Sequence, residues 1–264
     1  MFASIADEVQ AAVVGVWGRA EARAPEGRGA GGDGTVYIDS LAEEIVLARL
    51  AEAHEQGRSF SLISEEAGER DYGGGETIVV DPIDGSHNAK MGIPYFSLTL
   101  AAARARTYGS VYEACVRNLV SGDHFEARLG AGASLNREVL RVADEGDTLN
   151  VLQIETTDLG NHIEEYVELV RLAQKVRILG SAALNICLVA SGAMSLSIAP
   201  SLRSVDCAAA LLILSEAGGV ATDLEGAQLG GLDMALAVRP SVVAGANRAL
   251  IDSAIKSLRP GPVG

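Results

Sequence analysis

The sequence predicts an α/β fold whose helices and strands lie in layers, and three observations lead to that prediction. Short apolar runs such as Thr77 to Val80 have the length and composition of buried strands. Helical patterns alternate with such runs through the second half, which is typical of layered α/β folds. The chain has 264 residues, of which 48% are hydrophobic, so it can bury a sizeable core in one large domain or two closely packed lobes.

The first half is predicted to begin with two helices and to continue as a meander of strands. A helix over 3–22 places Trp17 in the core. The glycine-rich segment 27–34 is interpreted as a mobile loop, and Asp39 is expected at or near the cap of the second helix. The predicted strands cover 60–63, 77–80, 96–103, 108–116 and 123–128, with a turn-rich close at 130–134.

The second half alternates between short strands and helices. The strands are predicted at 149–154, 176–179, 194–198 and 242–244, and the helices at 163–173, 181–190, 206–217 and 248–258. Because no long linker interrupts the pattern, the best boundary lies between residues 130 and 148. We therefore expect an N-terminal lobe over 1–140 and a C-terminal lobe over 141–264.

Composition narrows the possible partners. The net charge of -14 repels nucleic acid and anionic membrane surfaces. No apolar run has the length of a membrane span, and the first residues lack the pattern of a signal peptide. Cys115, Cys187 and Cys207 are odd in number and widely spaced, which fits a reducing cytoplasm. We expect a cytoplasmic protein that binds neither nucleic acid nor membrane.

The most informative motif is Asp81-Pro-Ile-Asp-Gly-Ser86, which follows the apolar run at 77–80. Pro82 should end the strand, Gly85 permits a tight turn, and Ser86 is a good cap for a following helix. Two carboxylates beside free backbone amides suit a hard divalent cation next to a phosphate. A single Asp after a strand, however, is usually a turn residue or a helix cap.

Acidic residues elsewhere strengthen the metal interpretation. Glu65 and Glu66 end the preceding predicted strand, and Asp206 opens a late helix. If the strands are neighbours, their ends meet at one edge of the sheet, where ligands bind in such folds. Carboxylates brought together there repel one another unless cations lie between them. Taken singly, the glutamates could be a solvated loop and Asp206 an N-cap.

These segments together resemble the inositol monophosphatase superfamily. The resemblance rests on Glu65-Glu66, on Asp81 to Ser86, and on Val205 to Gly219 with its Asp206 and its Glu-Ala-Gly-Gly ending. It extends over nearly the whole chain. The segment from Asn88 to Phe96 is most similar to the archaeal-type inositol monophosphatase/fructose-1,6-bisphosphatase branch.

The resemblance implies a five-layered α-β-α-β-α sandwich and a magnesium-dependent phosphomonoesterase. It assigns the first metal to Glu65, Asp81 and the Ile83 carbonyl. It assigns the second to Asp81, Asp84 and Asp206, and a weaker third metal would face Glu65 through water. Two or three Mg²⁺ ions would bind, Mn²⁺ could replace them, and Li⁺ would inhibit. Relatives are commonly dimers, so a homodimer is expected.

The same resemblance gives roles around the phosphate. The amides of Gly85 and Ser86 would bind it, and a metal-activated water would attack phosphorus. The Ser86 hydroxyl, paired with Asp39, would orient or deprotonate that water, with Glu66 nearby. Ser181 and Ala182 belong to the segment that resembles the family's substrate side.

Two departures from the family pattern bear on the substrate, a small phosphorylated metabolite. Ala199 stands where inositol-specific members carry a Glu that binds sugar hydroxyls, and Arg203 in the same loop could meet a second phosphate. We therefore favour fructose 1,6-bisphosphate or a related sugar phosphate. Alternatives are an inositol monophosphatase, a biosynthetic phosphatase of a nucleoside monophosphate, and, remotely, a non-catalytic binding homologue.

Overall fold

The structure is a computed structural model that describes residues 1–32, 34–143, 146, 148–156 and 159–258. Its seven helices are α1 Phe2–Val14, α2 Tyr37–Glu55, α3 Ser86–Met91, α4 Leu159–Leu172, α5 Ala182–Ala190, α6 Ser204–Glu216 and α7 Arg248–Ser257. Its strands are β1 Pro25–Arg28, β2 Gly34–Val36, β3 Phe60–Ser64, β4 Gly68–Asp84, β5 Ser97–Ala103, β6 Val111–Asn118, β7 His124–Arg128, β8 Gly132–Leu135, β9 Glu138–Val139, β10 Val151–Ile154, β11 Lys175–Arg177, β12 Leu196–Ala199, β13 Val220–Thr222 and β14 Val242–Gly245.

A seven-stranded sheet takes the strands from β3 to β9 in chain order. β3 runs parallel to the second part of β4, where Ser61 faces Thr77 and Ser64 faces Val80. From β4 to β9 each strand pairs antiparallel with the next, as expected for a meander. The parallel pair places the C-terminal ends of β3 and β4 at the same edge of the sheet.

A five-stranded sheet of mixed direction follows in the order β11-β10-β12-β14-β13. β10 is parallel to β11 and β12, whereas β14 is antiparallel to β12 and β13. The helices α4 and α5 connect strands of this sheet, which confirms the alternation predicted from the sequence.

The two sheets and the helices form a layered α-β-α-β-α sandwich. One core lies between α1, α2 and the seven-stranded sheet, and the next lies between that sheet and α5 and α6. A third core joins the five-stranded sheet to α4 and α7. Leu62 faces the first core and Ile63 the second, because side chains alternate along a strand.

Two predictions about the first half need correction. The first helix ends at Val14, although Trp17 still packs with its ring centre 5.6 Å from that of Phe96. Gly15 and Gly18 follow Val14, and Gly18 has a φ of 75° that favours glycine and stops a helix. The segment predicted as a mobile loop contains β1 and β2, which pair as an antiparallel hairpin; residue 33 lies outside the described residues.

The boundary between lobes at 140/141 remains a prediction. The last strand of the seven-stranded sheet ends at Val139, and the first strand of the five-stranded sheet begins at Val151. We therefore propose a boundary between these two residues. The core around α5 and α6 contains residues of both lobes, so the lobes share one packed interior. Within the described residues, none of the helices combines the length and the apolar character needed to cross a membrane.

Candidate active site

The Asp81 to Ser86 motif forms the end of β4 and the turn into α3. The pairing of β4 with β5 shifts register between Asp81 and Asp84, so Pro82 interrupts the ladder without ending the strand. Gly85, rather than Ser86, is the cap of α3. Its φ is 94°, and a Cβ there would lie 2.8 Å from the Gly180 carbonyl oxygen. Glycine is therefore required by both conformation and space.

Glu65, Asp81 and Asp206 meet between the ends of β3 and β4 and the start of α6. Each offers one carboxylate oxygen, and these oxygens all lie within 4.8 Å of one another. Glu65 follows β3, Asp81 lies near the end of β4, and Asp206 lies in the first turn of α6. A hydrogen bond from the Thr99 hydroxyl to the Val205 carbonyl, 2.7 Å long, helps hold α6 against the sheet.

The pKa values show how strongly these acids interact. Burial, followed by the nearby Asp206 and Asp84 carboxylates, raises the pKa of Asp81 well above its usual value. Burial and Asp206 raise the pKa of Asp84 to about 7. Both shifts mean that the ionised forms of Asp81 and Asp84 are disfavoured by burial and by the neighbouring carboxylates.

Asp84, predicted as a fourth acidic ligand, is not one of the three acids whose oxygens lie within 4.8 Å of one another; it ends β4, and its carboxylate lies at the N-terminus of α5. Its carboxylate accepts hydrogen bonds from the Ser181 hydroxyl at 2.5 Å and from the Ala182 and Ala183 amides at 3.1 and 2.9 Å. The Ser97 hydroxyl donates a further bond at 3.2 Å. The amides at the start of α5 favour a negative charge. Ser181 and Ala182, predicted to bind substrate, thus contact one of the predicted metal ligands.

Ser86 and Asp39 lie on the other side of the motif. The Ser86 hydroxyl donates to the Ile83 carbonyl at 2.9 Å. Burial raises the pKa of Asp39, while Lys90, the Val36 amide and the nearby Ser86 hydroxyl lower it. Within the described residues, Oδ1 of Asp39 is buried without a hydrogen-bond partner. A buried, unpaired carboxylate oxygen next to a hydroxyl suits a site that takes up water or a cation.

Glu66 is covered by the hairpin of β1 and β2. Its carboxylate accepts a short hydrogen bond from the Thr35 hydroxyl, and its pKa is raised mainly by burial. The Ala30 amide donates to the Glu66 carbonyl at 3.0 Å, and the Gly31 amide donates to the Glu65 carbonyl at 2.7 Å. The hairpin therefore closes over the two glutamates.

A cavity of about 290 Å³ opens beside Asp206. Ala182 and Arg203 line it, together with Glu155 and Arg239. Arg203 forms an ion pair with Glu65, so the predicted substrate arginine also contacts a predicted metal ligand. Sequence reasoning missed Glu155 and Arg239, because neither lies in a motif. The only signal was that Glu155 directly follows a predicted strand.

The donors fit a hard divalent cation. Carboxylate oxygens and a backbone carbonyl are the ligands that Mg²⁺ accepts, and buried carboxylates of raised pKa need a positive partner. The glycine turn also presents backbone amides beside them. The arrangement can hold a cation and a phosphate together.

Comparisons with known proteins agree with this geometry. A model of the inositol monophosphatase family matches residues 3–260. The fructose-1,6-bisphosphatase/inositol-1-monophosphatase of Thermococcus kodakarensis is 31% identical over 261 residues, which cover 97% of this chain and 95% of the relative. An inositol-1-monophosphatase of Mesorhizobium japonicum is 34% identical, covering 75% of this chain and 74% of its own.

A solved structure of an inositol monophosphatase-fructose 1,6-bisphosphatase matches this fold with a TM-score of 0.86 at 27% identity, and the match covers 97% of both chains. The resemblance seen in the sequence and the five layers it implied are thereby confirmed. The chain belongs to the inositol monophosphatase family.

Proposed function

We propose that this protein is a magnesium-dependent phosphomonoesterase that prefers fructose 1,6-bisphosphate or a related sugar phosphate. Its family makes it a phosphoric monoester hydrolase of small phosphorylated substrates. The observation that carries the metal dependence is the set of three carboxylate oxygens, from Glu65, Asp81 and Asp206, within 4.8 Å of one another.

The metal ligands are assigned to the residues brought together between the ends of β3 and β4 and the start of α6. Glu65, Asp81 and the Ile83 carbonyl would hold one ion, and Asp81, Asp84 and Asp206 a second. A third ion would face Glu65 through water. Bound Mg²⁺ supplies Lewis-acid charge for the phosphate and lowers the pKa of water. Mn²⁺ would substitute, and Li⁺ would inhibit.

The chain's own groups would orient the reaction. The amides of Gly85 and Ser86 would donate to phosphate oxygens, as amides at such turns do. The Ser86 hydroxyl and the unpaired Asp39 oxygen would bind and orient the attacking water. Asp39 is suited to accept a proton because burial raises its pKa. Glu66, also of raised pKa, lies within electrostatic reach of Asp39 and is assigned as the supporting base.

Several features support a second anionic group on the substrate. Arg203 and Arg239 both line the cavity, and arginine binds phosphate through a planar fork of donors. Ala199 is only 2% exposed and offers no side-chain acceptor for inositol hydroxyls. Several archaeal relatives are named fructose-1,6-bisphosphatase/inositol-1-monophosphatase, one archaeal relative is named bifunctional NADP phosphatase/NAD kinase, and two bacterial ones are named inositol-1-monophosphatase. Inositol or nucleoside monophosphates are therefore the alternatives.

A phosphate-release screen with Mg²⁺ tests the proposal. Fructose 1,6-bisphosphate should give a higher kcat/KM than inositol 1-phosphate or a nucleoside monophosphate. Arg239→Ala should lower the ratio of kcat/KM for fructose 1,6-bisphosphate to kcat/KM for inositol 1-phosphate by about tenfold or more, because a charged hydrogen bond to the second phosphate is lost. Arg239 is the cleaner target, since Arg203 also pairs with Glu65. Inositol 1-phosphate as the best substrate would overturn the preference, and no hydrolysis of any substrate would overturn the function.

We also propose a cytoplasmic homodimer. The three cysteines are all unbridged and buried, which is consistent with a reducing compartment. The acidic surface charge argues against membrane or nucleic-acid partners. Size-exclusion chromatography with light scattering would test the dimer.

A further inference from the structure

Glu155 is a carboxylate in the cavity wall that the proposed metal chemistry does not use. It directly follows β10, and its amide donates to the Ile198 carbonyl at 2.8 Å, so it lies beside Ala199 at the end of β12. It lines the same cavity as Ala182 and Asp206. An acidic side chain directly after the neighbouring strand therefore lies beside the end of β12.

Two chains of hydrogen bonds between side chains hold the Glu155 carboxylate in place. Oε2 accepts from the Asn185 amide at 2.6 Å and from the Gln153 amide at 3.1 Å. Asn185 in turn accepts from the Tyr95 hydroxyl at 2.9 Å, and Gln153 from the Ser197 hydroxyl at 2.7 Å. Asn185 and Gln153 are both fully buried. A carboxylate fixed this way has little freedom to turn out of the cavity wall.

The carboxylate retains capacity for one more donor. An ionised carboxylate offers roughly four acceptor positions. The side-chain amides of Gln153 and Asn185 use two of them, both on Oε2, and the Gly180 backbone lies close to the carboxylate. A remaining position repels anions, so it suits a neutral donor such as a hydroxyl.

We propose that Glu155 is a specificity-determining residue that accepts a hydrogen bond from a substrate hydroxyl close to the scissile phosphate. This rests on the proposed phosphatase function and adds to it a residue that selects esters with a hydroxyl next to the phosphate-bearing carbon. A site built to bind a hydroxyl disfavours analogues that lack it, because its polar group is then left unpaired.

The test compares glycerol 1-phosphate with n-propyl phosphate, which has the same carbon chain without hydroxyls. Phosphate release is measured with Mg²⁺ for the wild type, for Glu155→Gln, and for Glu164→Gln. Glu164 is exposed on α4, so Glu164→Gln removes the same charge away from the cavity. Wild type and Glu164→Gln should prefer glycerol 1-phosphate.

In Glu155→Gln, kcat/KM for glycerol 1-phosphate should fall by about tenfold to hundredfold, the usual value of a hydrogen bond to a charged group. The value for n-propyl phosphate should stay the same. Mg²⁺ affinity, measured by calorimetry, should also be unchanged.

Three results would overturn the inference while leaving the phosphatase function intact. The first is an equal fall in kcat/KM for both esters in Glu155→Gln. The second is an active wild type with equal kcat/KM for the two esters. The third is a weaker Mg²⁺ affinity in Glu155→Gln, which would make Glu155 a metal ligand. If the wild type hydrolysed neither these two esters nor any substrate in the screen, both the proposed function and the inference would be overturned.

Discussion

The two walls of the site are built from different kinds of structure. The metal-facing wall, made of Glu65, Asp81, Asp84 and Asp206, comes from the ends of paired strands and the first turn of a long helix. The substrate-facing wall, made of Glu155, Arg203 and Arg239, comes from connections that leave β10 or lead into α6 and β14. The first wall is mostly buried, whereas Arg239 is exposed.

We infer from this difference that the residues for the chemical step and the residues for substrate preference lie on separate parts of the fold. Carboxylates that must hold cations at fixed distances need rigid strand ends, and their mutual repulsion makes each one sensitive to change. Connections tolerate substitution without disturbing the core, so they can be adapted to different substrates. We expect variants of the metal-facing wall to lose all activity and variants of the substrate-facing wall to change preference.

The largest effect is expected for Asp84→Asn. The Ala182 and Ala183 amides donate to different oxygens of Asp84, so Asn keeps one acceptor for them and retains one of these two bonds at the start of α5. Loss of the charge should reduce kcat on every substrate by about hundredfold to thousandfold, the usual value of a preorganised electrostatic group.

The measurement is phosphate release at saturating Mg²⁺, with circular dichroism to verify folding. Asp71→Asn is the matched control, because Asp71 lies exposed in β4 and accepts hydrogen bonds from the Gly73 and Gly74 amides. If the Asp84→Asn protein were folded and as active as Asp71→Asn, Asp84 would not be a metal ligand.

A smaller effect is expected for Ser86→Ala. The hydroxyl is lost, but the backbone amides that bind phosphate remain. The kcat should fall by about tenfold to hundredfold with little change in KM, since positioning groups of this kind act on the chemical step. Ser86→Thr restores the hydroxyl and should keep most of the activity. If Ser86→Ala raised only KM, Ser86 would belong to substrate binding.

The smallest effect concerns the stability of the metal-free protein. The pKa of Asp84 is raised from 3.8 to about 7 by burial and Asp206, so the folded state binds its proton more tightly than the unfolded state. The stability from that proton is complete below the unfolded pKa and is lost as the pH rises toward 7. With chelator present, Tm should fall by a few degrees between pH 5 and 8, since about 1 kcal/mol moves Tm by 2–4 °C in chains of this size.

The same melts with Mg²⁺ should show a weaker pH dependence, because the cation compensates the ionised group. Asp84→Asn removes the titrating group and should flatten the chelator curve. An equally steep curve in that variant would assign the pH dependence to other acids.

Sequence reasoning predicted the metal-facing wall better than the substrate-facing wall for a physical reason. Asp81, Asp84 and Asp206 follow local signals, a strand end or a helix start, and those signals predict where side chains meet. Arg239 and Glu155 come together only through long-range packing of two sheets, which no local pattern specifies. The hairpin over Glu66 was missed likewise, because β1 contains proline and glycine and β2 is only three residues long.

The metal-facing wall also has a consequence for how the chain acquires its native state during synthesis. Glu65 and Asp206 are separated by more than half of the chain, and α6, which carries Asp206, follows every strand of the seven-stranded sheet. Contacts between such distant residues form late, because closing a long loop costs entropy before any contact compensates it. A nascent chain still lacking α6 therefore presents an incomplete set of ligands. We expect magnesium to bind tightly only after the ribosome has synthesised most of the chain, and to stabilise the folded protein from that point.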